Sequence, residues 1–131
     1  MKRQIKIKAW YRKEKRFIDL NGVDIRFKGC GNEGSIYNIY EQGVLNAIPS
    51  EDIDLIEFTG LQDKNGVDIY EGDIITAGLY PFNDNYCHDI YFKHGGFKVR
   101  WTMFELGEIY SHKLNGKIEV IGNIYENPKL L

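Results

Sequence analysis

The sequence predicts a mostly β chain, a small antiparallel barrel or sandwich with at most one or two short helices. Three observations carry that expectation. Apolar and polar residues alternate along several short segments, Asn-Gly and glycine-rich turn signals separate those segments, and aromatic residues, which favour strands, make up 14% of the chain. At 131 residues there is enough chain for one proper core, so the expectation is a single domain over 1–131. Within it we read a basic strand and hairpin region over 1–28 and a barrel-like body over about 53–128, and the C-terminal half of the chain is compatible with an SH3-like barrel.

Residues 4–10 alternate, with Ile5, Ile7 and Ala9 on one face and Lys6, Lys8 and Trp10 on the other, as a half-buried strand requires. The charged stretch 11–15 is a turn. Phe17, Ile18 and Leu20 lead into Asn21-Gly22, whose residues tolerate the positive φ of a tight hairpin, and Val23, Ile25 and Phe27 alternate again. The result is a meander of two or three strands.

Residues 35–47 leave two alternatives open, a short helix or an irregular segment. Ile36, Ile39, Tyr40 and Val44 fit helical spacing, whereas Gly43 and the β-branched and aromatic content weaken a helix. Residues 53–58 read as a strand that Thr59-Gly60-Leu61 ends. Asp63-Lys64-Asn65-Gly66 is a strong turn signal, and Gly72-Asp73 is a second turn feeding Ile74 and Ile75.

The stretch 81–89, with Asn83, Asp84 and Asn85, reads as a long surface loop. After Gly95-Gly96 comes the cleanest alternation in the chain, with Phe97, Val99, Trp101 and Met103 facing the core and Lys98, Arg100 and Thr102 facing out. Asn115-Gly116 is a further hairpin turn. Ile118, Val120 and Ile124 form the inner side of the last strand, and Gly122 suits a bulge.

The formal net charge of −2 hides a segregation of charge. Residues 1–16 hold eight bases against one acid, Glu14, while from Phe17 to Asp73 only Arg26, Lys28 and Lys64 offset twelve carboxylates. No stretch approaches the roughly 20 apolar residues that span a bilayer, and the first sixteen residues lack the apolar core of a secretory signal. The expectation is a cytoplasmic protein without a membrane partner, its two cysteines, Cys30 and Cys87, remaining thiols.

Four chemistry-bearing patterns need weighing. Gly29-Cys30-Gly31-Asn32-Glu33-Gly34 is a formal GxGxxG followed by Asp54, the outline of a dinucleotide site. The strand before it alternates, however, where a Rossmann strand buried on both faces is continuously apolar, and Glu33 would repel a pyrophosphate. A glycine-rich connecting loop is the better account, and no cofactor is expected. Cys30, Cys87, His88, His94 and His112 match no zinc spacing, which leaves a loop cysteine and dispersed surface histidines. Asn83-Asp84-Asn85 with Asp89 lacks the glycine and terminal glutamate of a calcium loop, so no metal is expected. Glu71 and Asp73 are carboxylates without a catalytic geometry that sequence can fix, and Asp73 has a simpler role as a turn residue bonding nearby amides. No serine or cysteine occupies a nucleophile signature, and no catalytic residue is assigned.

The basic arm is the strongest physical feature. Lys6, Lys8, Arg12 and Arg16, interleaved with Trp10 and Tyr11, combine phosphate attraction with a stacking surface for single-stranded nucleic acid. The acidic remainder of the chain opposes a polyanion, and the same charges equally suit docking of the arm on an acidic body, within one chain or between copies.

Two long blocks, residues 58–75 (FTGLQDKNGVDIYEGDII) and 118–128 (IEVIGNIYENP), together with the opening strand 5–10 (IKIKAW), resemble the YopX family of phage and prophage proteins. At Lys8 and Tyr11 the chain departs from that family's arginine and acidic residue around the tryptophan, so no salt bridge is carried over there. The resemblance implies a β-rich, phage-encoded, oligomeric protein, and it supplies no activity and no catalytic residues. The expectation is a non-enzymatic accessory protein that self-associates and binds another macromolecule, with nucleic acid as the alternative partner. A nucleotide-binding enzyme built on the 29–34 loop stands third.

Overall fold

The structure, a computed structural model, describes residues 6–18, 26–28, 36–41, 43–76, 87–102, 105–111 and 118–131. It is mostly β, with antiparallel pairing in each sheet and one short α-helix among the described residues, in keeping with the small barrel or sandwich class. The chain divides into two compact units, residues 6–56 and 57–131.

In the first unit, β1 (Ile7–Tyr11) and β2 (Arg16–Ile18) form a hairpin whose register sets Ala9 opposite Ile18, Trp10 opposite Phe17 and Tyr11 opposite Arg16. β3 (Arg26–Lys28), β4 (Ile36–Glu41) and β5 (Val44–Pro49) form a three-stranded sheet in that order. A 3₁₀ turn, Ser50–Asp52, then leads into β6 (Ile53–Gln62). The core joins Ala9, Ile18, Ile39, Ile48 and Ile53, with Tyr11 packed against it. Each buried isoleucine contributes about 1.5–3 kcal/mol by leaving water.

Two sequence expectations change here. The described part of 35–47 is neither helix nor irregular, because β4 and β5 pair from Ile36 with Pro49 through Glu41 with Val44. Period two aligns Ile39 and Ile48 on one buried face, and Gly43, at φ +80°, takes the left-handed position of the tight turn. The expected meander through the basic region is not continued by β3, whose partner is β4; the Asn21-Gly22 turn lies outside the described residues.

The second unit begins within β6. This strand does not stop at Phe58, since Gly60, at φ +87°, lets it bulge and resume, with Phe58 paired to Tyr70 and Gln62 to Asp68 of β7 (Asp68–Tyr70). A four-stranded sheet follows in the order β10-β9-β8-β11, built from β8 (Asp73–Thr76), β9 (His88–Lys93), β10 (Gly96–Val99) and β11 (Glu119–Asn123). α1 (Leu106–Ser111) places Leu106 in the core with Ile69, Ile75, Ile90, Val99 and Ile118. The register of β11 on β8 shifts between Val120 and Gly122, which is the bulge expected at Gly122.

Two further expectations are corrected in this unit. His88 and Asp89, assigned to the 81–89 surface loop, open β9 and are both buried; residues 81–86 lie outside the described residues. The alternation from Phe97 to Met103 supports a strand only as far as Val99. The Val99 carbonyl there accepts from the Thr102 amide at 3.2 Å and the Thr102 hydroxyl at 2.8 Å, closing a turn that sends Trp101 out to solvent at 76% exposure. Met103 lies outside the described residues.

Candidate functional site

The basic hairpin shows how two strand faces divide the sequence-predicted residues. Lys8 and Trp10 share one face of β1, where Phe17 stands opposite Trp10. The two rings meet edge to face with centroids 4.8 Å apart, and the Lys8 ammonium lies 5.5 Å from the Phe17 ring centre. Trp10 is therefore 7% exposed, and its indole serves packing within the chain rather than an open stacking surface. Tyr11 and Arg16 face each other on the opposite side, with the guanidinium 5.9 Å from the ring centre. Lys6 lies just ahead of β1.

The hairpin tip, residues 12–15, is exposed. Arg12 donates its backbone N–H to the Asp52 carbonyl at 3.0 Å and pairs with Asp54 at 3.5 Å, while Arg16 bonds Glu14. Lys13 and Lys15 make no ion pair among the described residues. The six candidates are thus distributed over a tip and two faces, and among the described cations of the hairpin Arg12, Lys13 and Lys15 of the tip are the exposed ones while Lys6, Lys8 and Arg16 are half-buried.

Of the carboxylates singled out from sequence, Asp73 has structural work. Asp73 accepts the Tyr70 amide at 2.8 Å, the turn role expected of it. Asp63 does more: its Oδ1 accepts from Asn65 and Val67 at 2.8 and 2.9 Å, and its Oδ2 from Val120 of β11 at 3.0 Å. Burial pushes its acidity down, but three amide donors and Lys64 outweigh burial and hold its pKa below the ordinary aspartate value. Glu71 behaves oppositely, its pKa raised by burial and then by the neighbouring charge of Glu57.

The arrangement that sequence reasoning missed lies at the open end of the β9–β10 hairpin. Asp89 is buried, and its Oδ1 accepts from Arg100 Nε at 2.7 Å while its carbonyl accepts the Arg100 amide at 3.0 Å. Buried His88 donates from Nδ1 to the Arg100 carbonyl at 2.8 Å, which fixes the proton on that nitrogen. Asp89's hydrogen bond holds the Arg100 guanidinium more firmly protonated than usual. The same guanidinium stacks 4.4 Å from the centre of the Tyr91 ring. Trp101 follows at φ +67°, a left-handed conformation that a bulky residue rarely adopts. Its signal in the sequence was hidden by the regular alternation around it.

No cluster of three or more His, Cys, Asp or Glu side chains suited to a metal occurs among the described residues. The 29–34 glycine loop, Cys30, His112 and Asn83-Asp84-Asn85 lie outside them. No helix among the described residues is long and apolar enough to cross a membrane.

Residues 6–131 match the family described as YopX protein. The chain is similar to the crystal structure of protein EF1440 from Enterococcus faecalis, with 26% identity, a TM-score of 0.65 and 98% of each chain covered. No curated protein matches it.

Proposed function

This chain belongs to the YopX family, and on that premise we propose that it is a non-enzymatic accessory protein of phage or prophage origin that self-associates and binds another macromolecule in the host cytoplasm. The observation that carries the reading is the segregation of charge, with eight of seventeen Lys and Arg residues in the first sixteen positions. Among the described residues of that segment, the 12–15 tip is exposed. Arg12 already pairs with Asp54 at 3.5 Å within the chain, and this is the chemistry by which a basic tip docks on an acidic surface. Lys13 and Lys15 remain for a second partner.

Sedimentation of the full chain at low and high salt tests the proposal. Association at low salt that weakens as salt rises is expected, because contacts between exposed charges are screened beyond a Debye length. A monomer under both conditions at micromolar concentration refutes self-association.

Single-stranded nucleic acid at the hairpin is the second reading, carried by Lys6, Lys8, Arg12 and Arg16. Burial of Trp10 leaves Tyr11 as its aromatic, and Tyr11 lies on the face of β1 that packs toward the first core. Titration of labelled oligonucleotides at low salt with the Lys13→Glu/Lys15→Glu variant decides it. A charge-driven site loses affinity in that variant or in Arg12→Glu/Arg16→Glu, and an affinity unchanged in both removes the hairpin from consideration.

A further inference from the structure

We propose that Trp101 and Arg100 form a binding site for single-stranded nucleic acid, in which an unpaired base stacks on the Trp101 indole and its phosphate is held by the Arg100 guanidinium. The site is independent of the basic hairpin. Its first element is presentation: Trp101 is 76% exposed and sits at φ +67° on a turn closed by both Thr102 donors on the Val99 carbonyl. A backbone conformation unfavourable for a bulky residue is maintained by surrounding bonds, and its effect is to hold a large planar surface in water.

The second element is the orientation of Arg100. Its ion pair with Asp89 is asymmetric, the aspartate side chain 4% exposed and the arginine 45%. The carboxylate is the brace and the guanidinium the presented group. Asp89 engages Nε, Tyr91 covers one face of the guanidinium, and the two terminal nitrogens have no hydrogen-bond partner among the described residues. Two donors on a fixed planar fork match the oxygens of a phosphate.

The third element is the setting. Arg100 leads onto a sheet face carrying Tyr91, Lys93 and Lys98, Lys98 standing opposite Tyr91 and paired with Glu105. An exposed indole that directly follows an oriented guanidinium in the chain suits a base with its phosphate, since every base has a π-face and each phosphate needs one cation. An anchor for a protein partner is instead ringed by side chains that exclude water, and the chain neighbours of Trp101 are Arg100 and Thr102. The second unit carries an excess of acids, so long-range attraction is weak and stacking is the larger part of the binding.

Anisotropy of a fluorescein-labelled thymidine octamer, titrated with the full chain at low salt, tests the site. Trp101→Ala is expected to weaken binding about 5- to 150-fold, the range found for losing a stacked base, and Trp101→Phe to retain most of it. An abasic octamer is expected to bind the wild type as weakly as the intact octamer binds Trp101→Ala. A duplex of the same length, whose bases are already stacked, is expected to bind less than the single strand. Thymidine monophosphate competing at concentrations close to those of the octamer identifies a free nucleotide as the ligand; its failure to compete identifies the strand. Because Arg100 neutralises buried Asp89, the test rests on exposed Trp101, whose variants keep that pair. Binding that survives Trp101→Ala but is lost in Lys13→Glu/Lys15→Glu overturns the proposal in favour of the hairpin. Absence of octamer binding, with Trp101 emission moving to shorter wavelength as protein concentration rises, overturns it in favour of a protein contact.

Discussion

Replacing Trp101 by glycine and, separately, by alanine measures the strain that holds the indole out. A residue with a Cβ in the left-handed region costs about 1–2 kcal/mol, and Trp101 stands there at φ +67°. Glycine removes that cost but adds about 0.4–1 kcal/mol of unfolded-state entropy. The buried quarter of the indole, about 40–60 Å² of a large aromatic side chain and so about 1–1.5 kcal/mol, is lost equally in both variants. The difference between them therefore isolates the backbone, and Trp101→Gly is expected to be more stable than Trp101→Ala by about 0.5–1 kcal/mol. At an ordinary negative φ the order reverses, with alanine ahead by about 0.5–1 kcal/mol. Urea unfolding followed by far-ultraviolet circular dichroism at pH 7 reads the two midpoints, which are comparable if the slopes agree. Circular dichroism is needed because both variants keep Trp10 as their only indole, and Trp10 reports on the other unit. An alanine variant equal to or more stable than the glycine variant would refute stored strain and with it the first support for a presented indole.

The same comparison at the hairpin tip supplies a control: glycine is expected to beat alanine at Lys15, φ +51°, and to lose to it at Lys13, with urea midpoints again the measure. Asp63→Asn is expected to cost about 2–3 kcal/mol in urea unfolding, because the amide can accept from Asn65 and Val67 but turns a donor toward the Val120 amide. The pH dependence has a defined sign. Asp63's folded pKa is depressed, so its stabilisation is present above the unfolded aspartate value and is lost as pH falls through the folded one; melting temperatures of wild type and Asp63→Asn should converge on acidification below about pH 4. Gly72→Ala should destabilise by about 2 kcal/mol or more, since φ is +86° and a Cβ would lie 2.7 Å from Tyr125 Cε2; adding Tyr125→Ala should recover the steric part and not the backbone part in a double-mutant cycle.

Legibility in the sequence followed the range of the interactions. β1, β8 and β11 were readable because their alternation and the turns around them are set within a few residues, as with Asp63, whose Oδ1 serves amides two and four positions on. Residues 35–47 were not, because Ile36, Ile39, Tyr40 and Val44 fit helical spacing in one dimension while pairing decides between the patterns in three. His88 and Asp89 looked like loop residues because the partner that makes burial tolerable, Arg100, lies 11 positions beyond Asp89. Trp101 was misplaced for the converse reason: alternation continues past Val99, but the Thr102 turn ends the strand there. The cationic tip was visible from composition alone; the burial of Trp10 against Phe17 became visible only with the register of the hairpin.

The blocks that carry the family resemblance turn out to be stitched to one another. Asp63 reaches the Val120 amide, the Lys64 amide donates to the Ile118 carbonyl at 2.9 Å, and Lys64 pairs with Glu119 at 3.3 Å. Further along, the Ile124 amide donates to the Gly72 carbonyl at 2.8 Å, and the Tyr125 ring closes over Gly72. Residues 58–75 and 118–128 thus specify the β8–β11 pairing and its approaches, which explains Gly72, Asp63 and Glu119 without reference to any ligand. A shared function cannot be read from residues already committed to architecture. Among the described residues outside the blocks, the Lys13 and Lys15 tip and the Arg100–Trp101 turn present groups for chemistry. Substitutions in the blocks should therefore act on stability before they act on binding, whereas substitutions at the tip and the turn should act on binding while the fold persists.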